Sequence, residues 1–177
     1  MLKQRLLTAA ILLPLFVAAL FFLDPLWFTV LLLLVLMLGF HEWAVLSAIA
    51  NTGLRMAYIA AGIAVAVILV LAEQHGFLKT PFFLLVTGVW VIIMFWLIRY
   101  NGSETTDAGA RGNGQYAWLV GFFVLIPAVM GMRILKQEDA SDPQLLLVFF
   151  LIIWSADTGA YLAGRKWGQH KLAPRIS

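Results

Sequence analysis

The sequence predicts an all-α membrane protein with about six transmembrane helices, and three observations support this fold class. Hydrophobic residues make up 63% of the 177 residues and charged residues only 12%, whereas soluble domains carry about 25% charged residues. The mean hydropathy of +0.94 cannot be hidden in the core of so short a chain, because much of a small domain is surface. The apolar residues also gather in six runs, each close to the roughly 20 residues that a helix needs to cross a bilayer.

Short polar segments separate these runs. The first run follows a basic start and continues to Leu23 without a polar cleavage region, which predicts a retained helix rather than a secretory signal. Asp24-Pro25 predicts a turn, residues 99–115 a flexible loop rich in small polar residues, and "KQEDASDP" an acidic loop before the last run. The predicted spans are residues 6–23, 26–50, 56–72, 81–98, 116–132 and 145–164.

The positions of Lys and Arg predict the orientation, because cytoplasmic loops carry an excess of both. With both termini inside (N-in and C-in), only Lys79, Arg133 and Lys136 fall outside. We therefore expect a multi-pass protein of the cytoplasmic (inner) membrane. The nine basic residues on the inner side are then Lys3, Arg5, Arg55, Arg99, Arg111, Arg165, Lys166, Lys171 and Arg175.

Composition also narrows the chemistry. The chain has no cysteine, which removes disulfides, thiolate zinc sites and cysteine nucleophiles from consideration. The net charge is only +3, and we expect no nucleic-acid partner.

Two polar groups interrupt the apolar runs. An ionised side chain at the centre of a bilayer costs roughly 2.5–3.5 kcal/mol, so His41 and Glu42 in "GFHEWAVL" need an explanation. Either they lie at headgroup depth beside Trp43, where tryptophan is favoured, or they line a polar cavity at the inner leaflet. Both interpretations remain open from the residues alone.

The second interruption is Asp157, in the last apolar run. On a helix, Tyr161 and Arg165 follow Asp157 on the same face, and further basic residues lie downstream in "GRKWGQHKLAPRIS". One interpretation is an Asp–Arg pair at a helix end, with the basic tail serving only to set topology. The other is a site for an anionic ligand with a divalent cation, since Mg²⁺ usually takes one or two carboxylates together with substrate phosphates.

The segment "SADTGAYLAGRKWGQHKLAPRIS", residues 155–177, resembles a block that ends a transmembrane helix in the membrane-embedded phosphatidate cytidylyltransferases. The resemblance implies CTP and phosphatidate as substrates, CDP-diacylglycerol and pyrophosphate as products, and Mg²⁺ as cofactor. It also implies membrane lipid as a partner. It makes Asp157 the catalytic and metal-binding carboxylate and residues 165–177 the cytoplasmic start of the active-site segment. Substrate contacts would come from Thr158, Tyr161, Arg165, Lys166, Lys171 and Ser177.

Further expectations concern the activity and the assembly of the chain. Members of that family continue beyond this block with further spans and a His-Gly-Gly signature that is absent here, so we expect an N-terminal two-thirds that is inactive alone. A polar face left without its partner helices also predicts self-association, as a homodimer. The alternative function is a small transporter or channel subunit with an ion path through His41, Glu42 and Asp157. The basic run beyond Asp157 argues against a cation path and suits a triphosphate site.

Overall fold

A computed structural model describes residues 2–74, 79–99, 117–138 and 143–168. This part of the chain is helical and contains no strand, which confirms the all-α prediction. The helices described are α1 (Leu2–Phe22), α2 (Pro25–Leu46), α3 (Thr52–Gln74), α4 (Lys79–Arg99), α5 (Ala117–Glu138) and α6 (Gln144–Trp167).

Length and composition mark several of these helices as membrane-spanning. Within the described residues four segments qualify, namely Pro25–Leu46, Thr52–Glu73, Ala117–Lys136 and Gln144–Trp167. The apolar parts of α1 and α4, Ala10–Phe22 and Thr80–Phe95, are shorter. The chain is therefore a membrane protein, while six crossings and the N-in, C-in orientation stay predictions.

The turn between α2 and α3 is fixed by local hydrogen bonds. The Ile49 amide donates to the Ala44 carbonyl and the Ala48 amide to the Val45 carbonyl, both at 3.0 Å, which is the Schellman arrangement of helix ends. Ala48 takes the left-handed conformation that it requires, with φ 54°. The helix consequently ends at Leu46, whereas the predicted span continues to residue 50.

The described chain divides into two compact units, of which one is residues 25–134. Its centre is an aromatic cluster in which Phe40, Tyr58 and Phe122 meet edge to face, with ring centroids 5.1–5.4 Å apart. Gly62 allows the Phe40 ring to lie directly against α3, because a Cβ at this position would overlap that ring. The cluster links α5 to the consecutive helices α2 and α3.

The other unit consists of residues 1–24 and 135–177. Here α1 meets α6 through Phe16, whose ring lies 4.6 Å from that of Phe150 and 6.3 Å from that of Trp154, centroid to centroid. Lys136 is buried and donates a hydrogen bond from Nζ to the Leu20 carbonyl. A carbonyl near the C-terminal end of α1 has no partner within its own helix, so this ammonium satisfies it.

Candidate functional site

The last helix carries most of the residues that the sequence singles out. Helix α6 starts after Pro143, whose carbonyl accepts from the Leu147 amide at 3.2 Å, and ends where the Gly168 amide donates to the Gly164 carbonyl at 3.1 Å. Arg165 and Lys166 lie in its last turn, where cations interact favourably with the negative end of the helix dipole. The helix therefore places a cationic end beyond the carboxylate of Asp157.

Asp157, Tyr161 and Arg165 lie along one side of α6, as the spacing predicts. A rise of about 1.5 Å per residue separates Asp157 from Arg165 by roughly 12 Å along the axis. All three side chains are exposed, Tyr161 at 64%. Thr158, next to the carboxylate, is exposed as well. The arrangement is an open polar strip of about two helical turns, which is long enough for a ligand with several charged groups.

The described residues give Asp157 no hydrogen bond or ion pair, and Arg165 is not its partner there. This agrees with the axial separation, which is too long for direct contact. Asp157 is thus an exposed carboxylate on a helix long and apolar enough to cross a membrane. Of the two interpretations open from the sequence, the Asp–Arg pair is not formed within the described part of the chain.

The basic end of α6 is only partly described. Lys166 places Nζ 5.1 Å from the centroid of the Trp167 ring, in cation–π contact, and the Trp167 side chain is 70% exposed. Lys171 and Ser177, the other two residues of the predicted substrate site, lie outside the described residues. Arg165 and Lys166 are therefore the cations of the site that the structure locates.

A divalent cation would find one carboxylate on this strip. No group of three or more His, Asp or Glu side chains converges anywhere in the described ranges. Mg²⁺ is nevertheless commonly held by one or two carboxylates, with waters and substrate phosphates completing its shell. The exposed Asp157 fits a single protein ligand of that kind.

His41 and Glu42 lie near the end of α2, in the unit of residues 25–134, and both are exposed. The neighbouring Trp43 donates from Nε1 to the Ala117 carbonyl at 2.9 Å. Asp157 belongs to the other unit. The anchored indole fixes the backbone that carries His41 and Glu42, while the two polar side chains stay accessible.

Sequence reasoning missed a buried ion pair between α3 and α5. Arg133 Nη1 donates to Glu73 Oε2, and these side chains are 2% and 5% exposed. From the sequence, Arg133 is one of the three basic residues expected outside, and the third predicted span ends at residue 72, just before Glu73. Their strongly apolar neighbours, "LVLAE" and "MGMRIL", are the signal that each charge needs a partner.

The chain is similar over its whole length to known proteins. A family model described as "Cytidylyltransferase family" matches residues 3–177. The chain is 33% identical over 177 residues to a phosphatidate cytidylyltransferase of Pseudomonas aeruginosa, covering 100% of this chain and 62% of the relative. It is 32% identical over 191 positions to the Haemophilus influenzae protein of the same name, covering 100% of this chain and 65% of the relative.

A shorter match reaches 37% identity over 59 residues with a phosphatidate cytidylyltransferase of Rickettsia typhi, covering 33% of this chain and 25% of the relative. The chain thus spans 62% and 65% of the length of the two relatives that match it throughout. No solved structure was found to match it.

Proposed function

Because this chain belongs to the cytidylyltransferase family, we propose that it takes part in the transfer of a cytidylyl group from CTP to phosphatidate. The observation that carries the proposal is similarity over the whole chain to relatives named phosphatidate cytidylyltransferase. The polar strip on α6, with a carboxylate at one end and cations at the other, suits a polyphosphate ligand. The products would be CDP-diacylglycerol, a precursor of phospholipids, and pyrophosphate.

The proposed reaction is a displacement at phosphorus. An oxygen of the phosphatidate phosphate attacks the α-phosphorus of CTP and forms a new P–O bond. The bond from the α-phosphorus to the bridging oxygen breaks, and its electron pair leaves with pyrophosphate. Phosphatidate is already an anion, so no strong general base is needed, and catalysis consists mainly of positioning and charge neutralisation.

The residues of α6 divide this work. Asp157 would hold Mg²⁺, which when bound supplies positive charge to the triphosphate. Arg165 and Lys166 would contact phosphate oxygens, with the guanidinium offering two parallel N–H donors. Thr158 and Tyr161 would donate hydrogen bonds from their hydroxyl groups. Lys171 and Ser177 are assigned to the substrate by family resemblance alone.

The membrane arrangement follows from the two substrates. CTP is soluble and phosphatidate is a lipid, so their reaction has to occur at a membrane interface. We propose that the cationic end of α6 faces the cytoplasm, with both termini inside and the protein in the inner membrane. The distribution of Lys and Arg supports this orientation.

We further propose that the 177-residue chain is inactive by itself. One carboxylate is the lower limit for holding Mg²⁺ together with substrate phosphates, and the described residues contain no group of three or more His, Asp or Glu side chains that could add to it. A homodimer also stays a prediction. Almost all side chains of residues 151–168 are exposed, which leaves this helix available for a further protein surface.

The test is a CTP- and Mg²⁺-dependent assay of radiolabelled CTP incorporation into lipid, in membranes that contain phosphatidate. The 177-residue chain is compared with a version extended by the C-terminal portion of the Pseudomonas aeruginosa relative. Each is prepared with the native Asp157 and as Asp157→Asn. The extended chain should be active, and Asp157→Asn should reduce its rate by about 100-fold or more, as for the loss of one charge-stabilising group.

Ile152→Ala is the matched control, because Ile152 is exposed on α6, lies neither three nor four residues from any residue of the polar strip, and should tolerate the change. Incorporation by the isolated 177-residue chain would refute its predicted inactivity. If every version is folded and none is active, the enzyme proposal fails. The transporter alternative is then tested by measuring ion flux into vesicles that contain the native chain, the Glu42→Gln variant or the Asp157→Asn variant. Flux with the native chain that is lost in the variants would support it.

A further inference from the structure

An open apolar groove of about 590 Å³ runs along α3, with Met37 of α2 on its other side. Its volume falls in the range of about 300–1,000 Å³ that is typical of small-molecule sites. Met56 lies at one end and Ile68 at the other, with Ile59 and Ile63 between them. Every side chain that lines the groove is apolar, so its occupant has to be apolar as well.

The length of the groove matches one leaflet of a bilayer. From Met56 to Ile68, α3 advances about 18 Å at roughly 1.5 Å per residue. Half of the hydrocarbon core of a bilayer is about 15 Å thick. Both α2 and α3 are candidate membrane spans, and the groove starts at the end of α3 that adjoins the turn from α2. The groove is therefore about as long as a single acyl chain that extends from this interface towards the middle of the bilayer.

A fixed cation stands at the same end. Arg55 precedes Ile59 by four residues, so it lies on the same side of α3, one turn nearer the interface. Its Nε and Nη2 groups donate to the Ile49 carbonyl at 3.3 and 2.9 Å. A guanidinium has five N–H donors, and no carboxylate among the described residues pairs with Arg55. Donors consequently remain for a ligand.

The turn between α2 and α3 holds the guanidinium of Arg55 in position. Asn51 caps α3 by accepting the Leu54 amide on Oδ1 at 3.0 Å, and the Schellman bonds at Ala48 and Ile49 fix the end of α2. The Ile49 carbonyl is thereby held in place, and with it the guanidinium of Arg55. A cation positioned before the ligand arrives loses less conformational freedom on binding.

We propose that this groove binds one acyl chain of an anionic phospholipid, whose phosphate contacts Arg55. Apolar lining, leaflet length and a fixed cation at the interface all match that single class of ligand, and guanidinium is well suited to phosphate. The groove shares no residue with the polar strip of α6, and the proposal does not depend on the transferase proposal. Any bilayer lipid with an anionic phosphate headgroup fits it.

The test is photo-crosslinking of the full 177-residue chain in phosphatidylcholine vesicles. Two probes are compared, phosphatidylglycerol and phosphatidylcholine, each with a diazirine in one acyl chain. Mass spectrometry should find crosslinks concentrated on Met37 and residues 56–68. The anionic probe should label them about fivefold more than the zwitterionic probe, the ratio expected from one basic residue at a membrane surface.

Variants separate the chain-binding and headgroup-binding parts. Arg55→Gln should remove the preference for the anionic probe, and Arg55→Lys should largely retain it. Ala64→Trp fills the groove and should suppress labelling there, while Ala128→Trp, at an exposed position of α5, should not. Each variant is checked for native helicity by circular dichroism.

Two results would overturn the proposal, and both come from the native chain alone, so a misfolded variant does not obscure them. One is labelling spread evenly over the exposed faces of α3 and α5, which would mean ordinary lipid contact. The other is equal labelling of the groove by both probes, which would mean that Arg55 does not select the headgroup.

Discussion

The buried ion pair between Glu73 and Arg133 gives a quantitative test of the packing of α3 against α5. Both side chains are almost completely inaccessible, and the Nε group of Arg133 is buried without a hydrogen-bond partner. The guanidinium is thus desolvated and only partly satisfied. Its charge is balanced by the Glu73 carboxylate, so changing either residue alone leaves an uncompensated charge in an apolar environment.

The expected magnitudes follow from this burial. Glu73→Gln or Arg133→Met alone should lower the free energy of unfolding by about 3–5 kcal/mol, the usual cost of removing one partner of a buried pair. The double variant Glu73→Met/Arg133→Met should lie within about 1 kcal/mol of the native chain or exceed it, because it removes both charges and the unsatisfied Nε together. The coupling between the two sites should therefore be several kcal/mol.

The assay is reversible unfolding in mixed micelles by titration with a denaturing detergent, followed by tryptophan fluorescence. Glu42→Gln is the matched control, since Glu42 is exposed and its replacement should change stability by no more than about 0.5 kcal/mol. Single variants that cost less than about 1 kcal/mol, or a double variant that costs as much as the two singles summed, would show that the two charges are not a coupled buried pair.

Two further predictions concern backbone positions and use the same unfolding assay. A Cβ at Gly121 would overlap the Tyr58 hydroxyl and approach the Trp43 ring, and both side chains are held by hydrogen bonds to α5 carbonyls. Gly121→Ala should therefore lower the free energy of unfolding by about 1–3 kcal/mol. A Cβ at Gly131 would meet nothing within 4 Å, so Gly131→Ala should raise the free energy of unfolding by up to about 1 kcal/mol through helix propensity. Equal effects of the two variants would contradict the packing around Gly121. Ala48→Gly should stabilise by about 1 kcal/mol, because glycine adopts the left-handed conformation without the cost to a Cβ, and an unchanged or lower stability would count against it.

Much of the candidate site was accessible from the sequence. The helical period places Tyr161 and Arg165 in line with Asp157, and the structure has all three on one described helix. The roles of these residues stay proposals, because a role depends on what approaches the exposed side of α6. Lys171 and Ser177 lie outside the described residues.

The environment and the secondary structure of this protein can be read from its amino-acid sequence. Apolar runs as long as a bilayer is thick, with few charges, leave helices in lipid as the stable arrangement, since backbone polar groups there must be satisfied within the segment. Asp24-Pro25 marked the start of α2, and Pro25 is its first residue. These are local properties, so hydropathy and turn chemistry suffice to find them.

Which charges and rings meet depends on how the helices pack against one another. Glu73 and Arg133 are 60 residues apart, and Lys136 reaches a carbonyl 116 residues away at Leu20. Such pairs depend on which faces of two helices come together, and nearly uniform apolar helices carry no periodic pattern that specifies those faces. The same packing lets Gly62 and Gly121 accept neighbouring rings. Contacts at long sequence separation are a property of the packed chain, which is why the one-dimensional pattern does not contain them.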